Sequence, residues 1–553
     1  MAHLFRAYKV DGAKIPTYFI ESTAPDNVDD GLTPPLVLPP LVLIEPDQAI
    51  DEIAAELSGT ASPNLVVMVH GFNNPQPAVL ELYKGASATI ENDDKISSRR
   101  GLVCVGYRWP SEKMLSPTRS RFGALPTLAT WIWRSSLFLL ICGLIAIAVY
   151  PIWHLLSRSN PTWQTPVTLQ SNTWFSYGLP FLGHILAMAG LVGAGLISCA
   201  MLLRIIVYFR DTYRATNYGA PDLIEIIRQV DRKIIGHDAR DHEAIAETRQ
   251  RRDDRRVQLS FIGHSMGGYV VTNAIRALSD LFADYALRPH LNVGVFSGAH
   301  AERIPSKIGH AFDLKRFVLA SPDIPAEALL SNRANFLASS LRRFHEAYLF
   351  SNEGDEVLRQ ISTVANYFSF PTTSWKFGFR LGNVELLSSG YGVIPVAPGS
   401  ILATVRIGYY TLREIYRIFQ VARGQGDDFD TLQDKLPESF SYFDCTDYIE
   451  PDSTGRIRGL LTYALRTKRN NPDARMSWCQ HLKLLAAYCI WQKPDVHGGY
   501  FKGALSQRLI YRLAYLGYLD TVTAFGGLSS LSAACNERQI RVLFSPRLPT
   551  PLH

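Results

Sequence analysis

The residues with the clearest chemical meaning lie near the middle of the chain. There Gly263-His264-Ser265-Met266-Gly267-Gly268 follows the apolar, β-prone run Val257 to Ile262 and precedes a stretch of helical spacing, YVVTNAIRALSDLF. A serine flanked by glycines at a strand-to-helix turn is the pattern of a nucleophile elbow. The sharp turn strains the serine backbone and lifts its hydroxyl above the sheet, and only small neighbours fit beside it. Ser265 is therefore the candidate nucleophile. A GxSxG string alone is a weak signal, because glycine makes up about 7% of ordinary chains. The flanking strand and helix are what strengthen it.

Such a serine needs an oxyanion hole, a base and an acid. His70-Gly71-Phe72-Asn73 ends a second buried-strand run, Asn64 to Val69, and places a loop where one donor is required; the backbone N–H groups of Phe72 and Met266 are assigned to the hole. Chain order of serine, acid, histidine admits Asp355 in SNEGDEVL and Asp323 in ASPDIP. Asp355 is favoured because it follows the later strand, leaving Asp323 to line the pocket or cap a helix. His497, in the glycine-containing loop PDVHGGYF, is favoured as base over His481, which falls within the helical stretch SWCQHLKLLAAYC. His242-Glu243 and His345-Glu346 lack the second histidine of a zinc-binding HExxH, so neither metal nor cofactor is expected.

The elements that must position these groups read as a doubly wound, mostly parallel α/β sheet. Leu102 to Trp109, Arg316 to Ala320 and Ala347 to Ser351 supply further strands. The sequence predicts N-terminal strands and a Pro-rich connector over 1–60, and a first hydrolase segment over 61–134. A helical hairpin over 135–209 precedes a second hydrolase segment over 210–360. A cap-like insertion occupies 361–438, and the last strand, histidine loop and C-terminal helices fill 439–553. Thr33 to Pro46 reads as an extended connector because proline blocks helix and central-strand pairing.

The balance of 56 Lys+Arg against 50 Asp+Glu leaves +6 over 553 residues, too thinly spread for a nucleic-acid protein. Seven scattered cysteines without a CxxC pair indicate neither a disulfide framework nor a thiolate zinc site. The N-terminus reads as two strands and not as a signal peptide. Mean hydropathy is slightly positive, and two charge-free runs explain much of it: Ser135 to Leu156 and Leu179 to Leu203. Each reaches the roughly 20 residues that cross a bilayer. Lys113, Arg119, Arg121 and Arg134 precede the first run and Arg204, Arg210 and Arg214 close the second, whereas Arg158 alone marks the connecting loop. Both chain ends are thus expected in the cytoplasm, with a multi-pass membrane location. Small residues four apart, Gly183 with Ala187 and Ala189 with Gly193, allow close helix packing and a homo-oligomer through the hairpin.

Taken together, HGF, GYRWPS, GHSMGG, SPDI, SNEGDEVL, FRLGN and HGGYF resemble a bacterial α/β-hydrolase group classed as a domain of unknown function, distantly similar to esterases and lipases. The resemblance spans Pro63 to Pro110 and, less continuously, Gly219 to about Phe501. It implies a serine hydrolase using Ser265, an aspartate at Asp355 or Asp323, and His497. The chain departs from the group in its hairpin and in the additions Ile361 to Phe440 and Gly455 to Gln492. In an open parallel sheet the site lies beyond the carboxyl ends of the strands, the edge from which the first apolar run leaves. A lipid or acyl ester near the bilayer is the expected substrate. By the same geometry Arg249 to Arg256 is a solvated stretch, while Arg456, Arg458, Arg466, Lys468 and Arg469 are either solvated or near anionic lipid. The competing readings are a catalytically silent, membrane-anchored interaction module and a thioesterase or peptidase with the same triad.

Overall fold

The computed structural model describes residues 4–25, 39–111, 205–236, 256–282, 311–330, 336–363, 379–387, 436–452, 454–464, 475–490 and 494–549, with isolated residues and short pieces between them. The chain divides into two compact units: residues 1–113 together with 208–553, and residues 114–207. Among the described residues no helix is long and apolar enough to cross a membrane; the two charge-free runs lie, but for isolated residues, outside the described ones.

In chain order the strands of the first unit are β1 (Phe5–Val10), β2 (Thr17–Ser22), β3 (Leu41–Ile44), β4 (Asn64–Val69), β5 (Leu102–Arg108), β6 (Val257–His264), β7 (Lys307–Ile308), β8 (Phe312–Ala320) and β9 (Glu346–Ser351). They are followed by β10 (Val384–Leu386), β11 (Val405–Ile407), β12 (Tyr410–Thr411), β13 (Phe440–Asp444), β14 (Ile449–Pro451), β15 (Ile457–Gly459) and β16 (Arg541–Leu543). The main sheet runs β16-β13-β9-β8-β6-β4-β5-β2-β1-β3, with β7 against β8. From β13 to β2 every pairing is parallel. β1, β3, β7 and β16 pair antiparallel.

Helices cover both faces, as the residue alternation of the strands requires. On one face Val66, Met68 and Cys104 join Val79, Leu80 and Tyr83 of helix Gln76–Glu91 and Leu509, Ile510 and Leu513 of helix Ala504–Tyr515. On the other, Leu65, Val67 and Val105 meet Ile53 of helix Pro46–Ser58 and Leu223, Ile227 and Val230 of helix Ala220–Ile235. Strands β4 and β5, buried along their whole length, read as near-continuous apolar runs for this reason.

Two expectations change. The Pro-rich stretch is not wholly connector: Leu41–Ile44 pairs antiparallel with β1 at the sheet edge, and Pro46 opens a helix at a position where its missing N–H costs nothing. Nor is the strand expected in SYFDCTDYI the last one: it forms as β13, and β16 adds beyond it in the opposite direction. The sheet reverses its direction of growth between β4 and β6: β5 lies on one side of β4, while β6, β8, β9 and β13 extend on the other. In such sheets the ligand site lies at the carboxyl edge where the strand order reverses, and here the loops leaving β4 and β6 approach each other at that edge.

Candidate active site

The nucleophile candidate stands at that edge. Ser265 follows the last residue of β6, and Met266 begins the helix Met266–Phe282. Its backbone sits at φ 54°, in the left-handed region that a side chain rarely adopts, and its N–H donates to Ala320 O at 3.0 Å. A Cβ on Gly263 would lie 2.7 Å from Gly268 Cα, so the turn closes only with glycines on both sides. Two other non-glycine residues at carboxyl ends of central strands also have positive φ, Asn73 after β4 and Ser321 after β8. Strain of about 1–3 kcal/mol per residue is thus gathered along one edge of the sheet, where functional sites commonly hold it.

His497 and Asp355 meet at this edge although 142 residues separate them. His497 Nδ1 donates to Asp355 Oδ2 at 2.7 Å. The carboxylate is fully buried, and its environment is built to hold it: Ser321 Oγ donates to Oδ2, and the backbone N–H groups of Val357 and Leu358 donate to Oδ1 at 3.1 and 3.2 Å. With Nδ1 engaged, Nε2 is left as the basic nitrogen. Among the described residues neither His497 Nε2 nor Ser265 Oγ has a hydrogen-bond partner, although both are buried. Burial works against a charged imidazole, but the charge and hydrogen bond of Asp355, with Asp495 and Asp323 nearby, outweigh it and raise the His497 pKa above its ordinary 6.5.

The loop after β4 closes the other side. A Cβ on Gly71 would stand 2.7 Å from Ser265 Cβ, so only glycine permits the approach. Asn74 Nδ2 donates to Gly71 O and Phe72 O at 3.1 and 3.0 Å, and Asn73 N–H donates to buried Asp211 Oδ2 at 2.9 Å. The loop is thereby fixed with Phe72 beside the nucleophile turn. Met266 opens its helix, so its N–H lacks an intrahelical acceptor. Met266 thus adjoins Ser265 in the chain, and Phe72 adjoins Gly71, the residue that approaches it. The Phe72 ring packs edge-on to His497, centroids 6.3 Å apart, and to Tyr208, 5.9 Å apart.

The two alternatives that the sequence left open have other partners. Asp323 lies 3.0 Å from Arg380 Nε and accepts from Ser362 Oγ at 3.1 Å. Burial raises its pKa, against the pull of the Arg380 charge. It lines the site as part of a buried Asp–Arg pair and does not hold the histidine. His481 lies in helix Trp478–Ile490 and bonds not Asp355 but its neighbour Glu356, at Oε1, 2.6 Å away.

Three supporting groups escaped sequence reasoning. His264 Nε2 lies 3.0 Å from His497 O, a bond spanning 233 residues. Asn352 Nδ2 donates to Val496 O at 2.8 Å. His70 is buried and stacked on Trp109, centroids 5.2 Å apart; burial, then the Arg108 charge, lower its pKa to about 3, so it is neutral. Only the position of His264 inside GHSMGG offered any signal. The other two lie in motifs whose partners are set by tertiary contact.

No family model matches the chain, and the comparisons with curated proteins and with solved structures likewise give no match.

Proposed function

We propose that the chain is a membrane-anchored serine hydrolase of the α/β-hydrolase type that cleaves carboxylic esters, lipid or acyl esters foremost. One observation carries the reading: a buried aspartate–histidine pair at the carboxyl edge of a parallel sheet, beside a serine strained at φ 54° whose hydroxyl is uncommitted. Structural ion pairs between histidine and carboxylate are common, but they do not require a positive-φ serine between two glycine-rich turns. In the reaction His497 Nε2 takes the Ser265 proton as Oγ attacks the ester carbonyl. Asp355 holds the imidazole and stabilises its charged form, and the Phe72 and Met266 N–H groups receive the developing oxyanion. Collapse of the tetrahedral adduct expels the alcohol, which takes the proton from His497. Water, activated by the same base, then releases the acid.

The membrane part of the reading rests on the sequence, through the charge-free runs Ser135 to Leu156 and Leu179 to Leu203 and the basic residues outside them. Ser111 follows β5 at the catalytic edge and Tyr208 lies against Phe72; the preference for a lipid or acyl ester rests on the same two apolar runs.

A fluorophosphonate probe tests the chemistry directly. Labelling of the full chain in membranes at Ser265, lost in Ser265→Ala together with a roughly 10⁶-fold fall in ester turnover, is the expected result. Turnover that survives in Ser265→Ala overturns the proposal.

A further inference from the structure

We propose that His264, the residue before the candidate nucleophile, is a positioning residue for His497, holding the backbone of the histidine loop through a hydrogen bond from its ring. The inference rests on the hydrolase reading above and assigns a task that the triad itself leaves unfilled.

A base on a loop must be held as firmly as one on a strand, because a displacement of about 1 Å at a reacting group can cost about 10²-fold in rate. His497 lies outside any strand, in a turn between Asp495 and the short helix Gly499–Phe501. Two side chains from strand ends grip that turn. Asn352, just past β9, donates to Val496 O, and His264, the last residue of β6, reaches the next carbonyl, His497 O, at 3.0 Å. A carbonyl only accepts, so His264 Nε2 carries the hydrogen and Nδ1 is the bare nitrogen.

The rest of the ring is fitted to its place. Its centroid is 4.9 Å from the His497 ring and 5.3 Å from Phe501, which it meets nearly edge-on at 82°. Its Nδ1 lies 3.1 Å from where a Cβ on Gly71 would be, so the imidazole fills the space between the loop after β4 and the histidine loop. Burial, then the neighbouring His497, push its pKa down to about 4. The ring is therefore neutral whenever His497 works, and adds no charge to oppose the imidazolium that forms beside it.

The neutral donor can be separated from the ring's bulk. Glutamine offers an N–H at similar reach, phenylalanine keeps the packing on Phe501 without a donor, and asparagine carries a donor too short to arrive. In the full chain, fluorophosphonate labelling rate and p-nitrophenyl ester kinetics are compared for the four residues, with thermal transition temperature as control. His264→Phe and His264→Asn are expected to label about 10- to 100-fold more slowly, with kcat falling in proportion and KM nearly unchanged. His264→Gln should recover most of the rate. Wild-type labelling by His264→Asn or His264→Phe, or a glutamine variant as slow as the phenylalanine one, overturns the inference while leaving Ser265 labelling intact. An unlabelled wild-type chain instead overturns the hydrolase reading, and this inference falls with it.

Discussion

Protonation of His497 sets the pH at which the proposed chemistry begins. As a base it must be neutral, and Asp355 holds its pKa above the ordinary 6.5 despite burial. The acid limb of kcat/KM is therefore expected to have a midpoint above pH 6.5 and to fall tenfold per unit below it. Asp355→Asn removes the main cause of the rise and leaves burial opposed only by the charges of Asp495 and Asp323, so the limb should move to lower pH while turnover drops by about 10⁴. A pH profile whose acid midpoint stays in place in that variant would show that Asp355 does not act on the base. Stability has the opposite dependence on this group. A proton bound more tightly in the folded chain stabilises it fully below about pH 6.5, and that contribution fades as pH rises through the folded value. His264 and His70 act in the other sense: held neutral with pKa values pushed to about 4 and about 3, they make the folded chain bind fewer protons than the unfolded one below pH 6.5. Acidification from pH 6.5 to 4 should therefore lower the thermal transition, and His70→Phe should flatten that decline.

At the scale of elements, the strands hold the site and the glycines let the loops approach one another. In Gly71→Ala the new methyl would meet Ser265 Cβ at 2.7 Å, about 1 Å inside ordinary carbon contact. Either the loop carrying Phe72 or the nucleophile turn must give way. A loss of about 10²-fold in kcat/KM with a thermal transition lowered by only a few degrees is expected, measured on the same ester. An alanine variant with full activity would show that the close approach is not needed. The same elements mark what was legible in the sequence. The central strands were, because burial on both faces leaves unbroken apolar runs, and so was the elbow, because strain selects glycine on both sides of Ser265. Leu41–Ile44 was not, since an edge strand tolerates the prolines that argue against a central one. The choice between Asp355 and Asp323 was open because it turns on Arg380, a cation 57 residues beyond Asp323 that neutralises it only in the folded chain. The task of His264 was hidden for a like reason, its partner lying across 233 residues.

For the molecule as a whole, the decisive question is on which side of a bilayer the pieces lie. Under the proposed membrane reading, the basic flanks outside the two apolar runs predict the sheet and both ends in the cytoplasm and the loop Ser157 to Gly178 on the far side. Cysteine accessibility reports this without cutting the chain. Cys479 is exposed on helix Trp478–Ile490, whereas Cys104, Cys445 and Cys535 are buried. A membrane-impermeant maleimide should label Cys479 in inverted vesicles and spare it in intact cells. In a background with Cys142, Cys199, Cys479 and Cys489 replaced by serine, Ser171→Cys, placed in the connecting loop, should show the reverse pattern. Labelling of both positions from the same side would exclude a two-span hairpin. It would also remove the reason for drawing the substrate from the membrane, while leaving the chemistry of Ser265, His497 and Asp355 to be judged on its own measurements. The two halves of the proposal are separable because one rests on the geometry of a sheet edge and the other on the distribution of charge around two apolar runs.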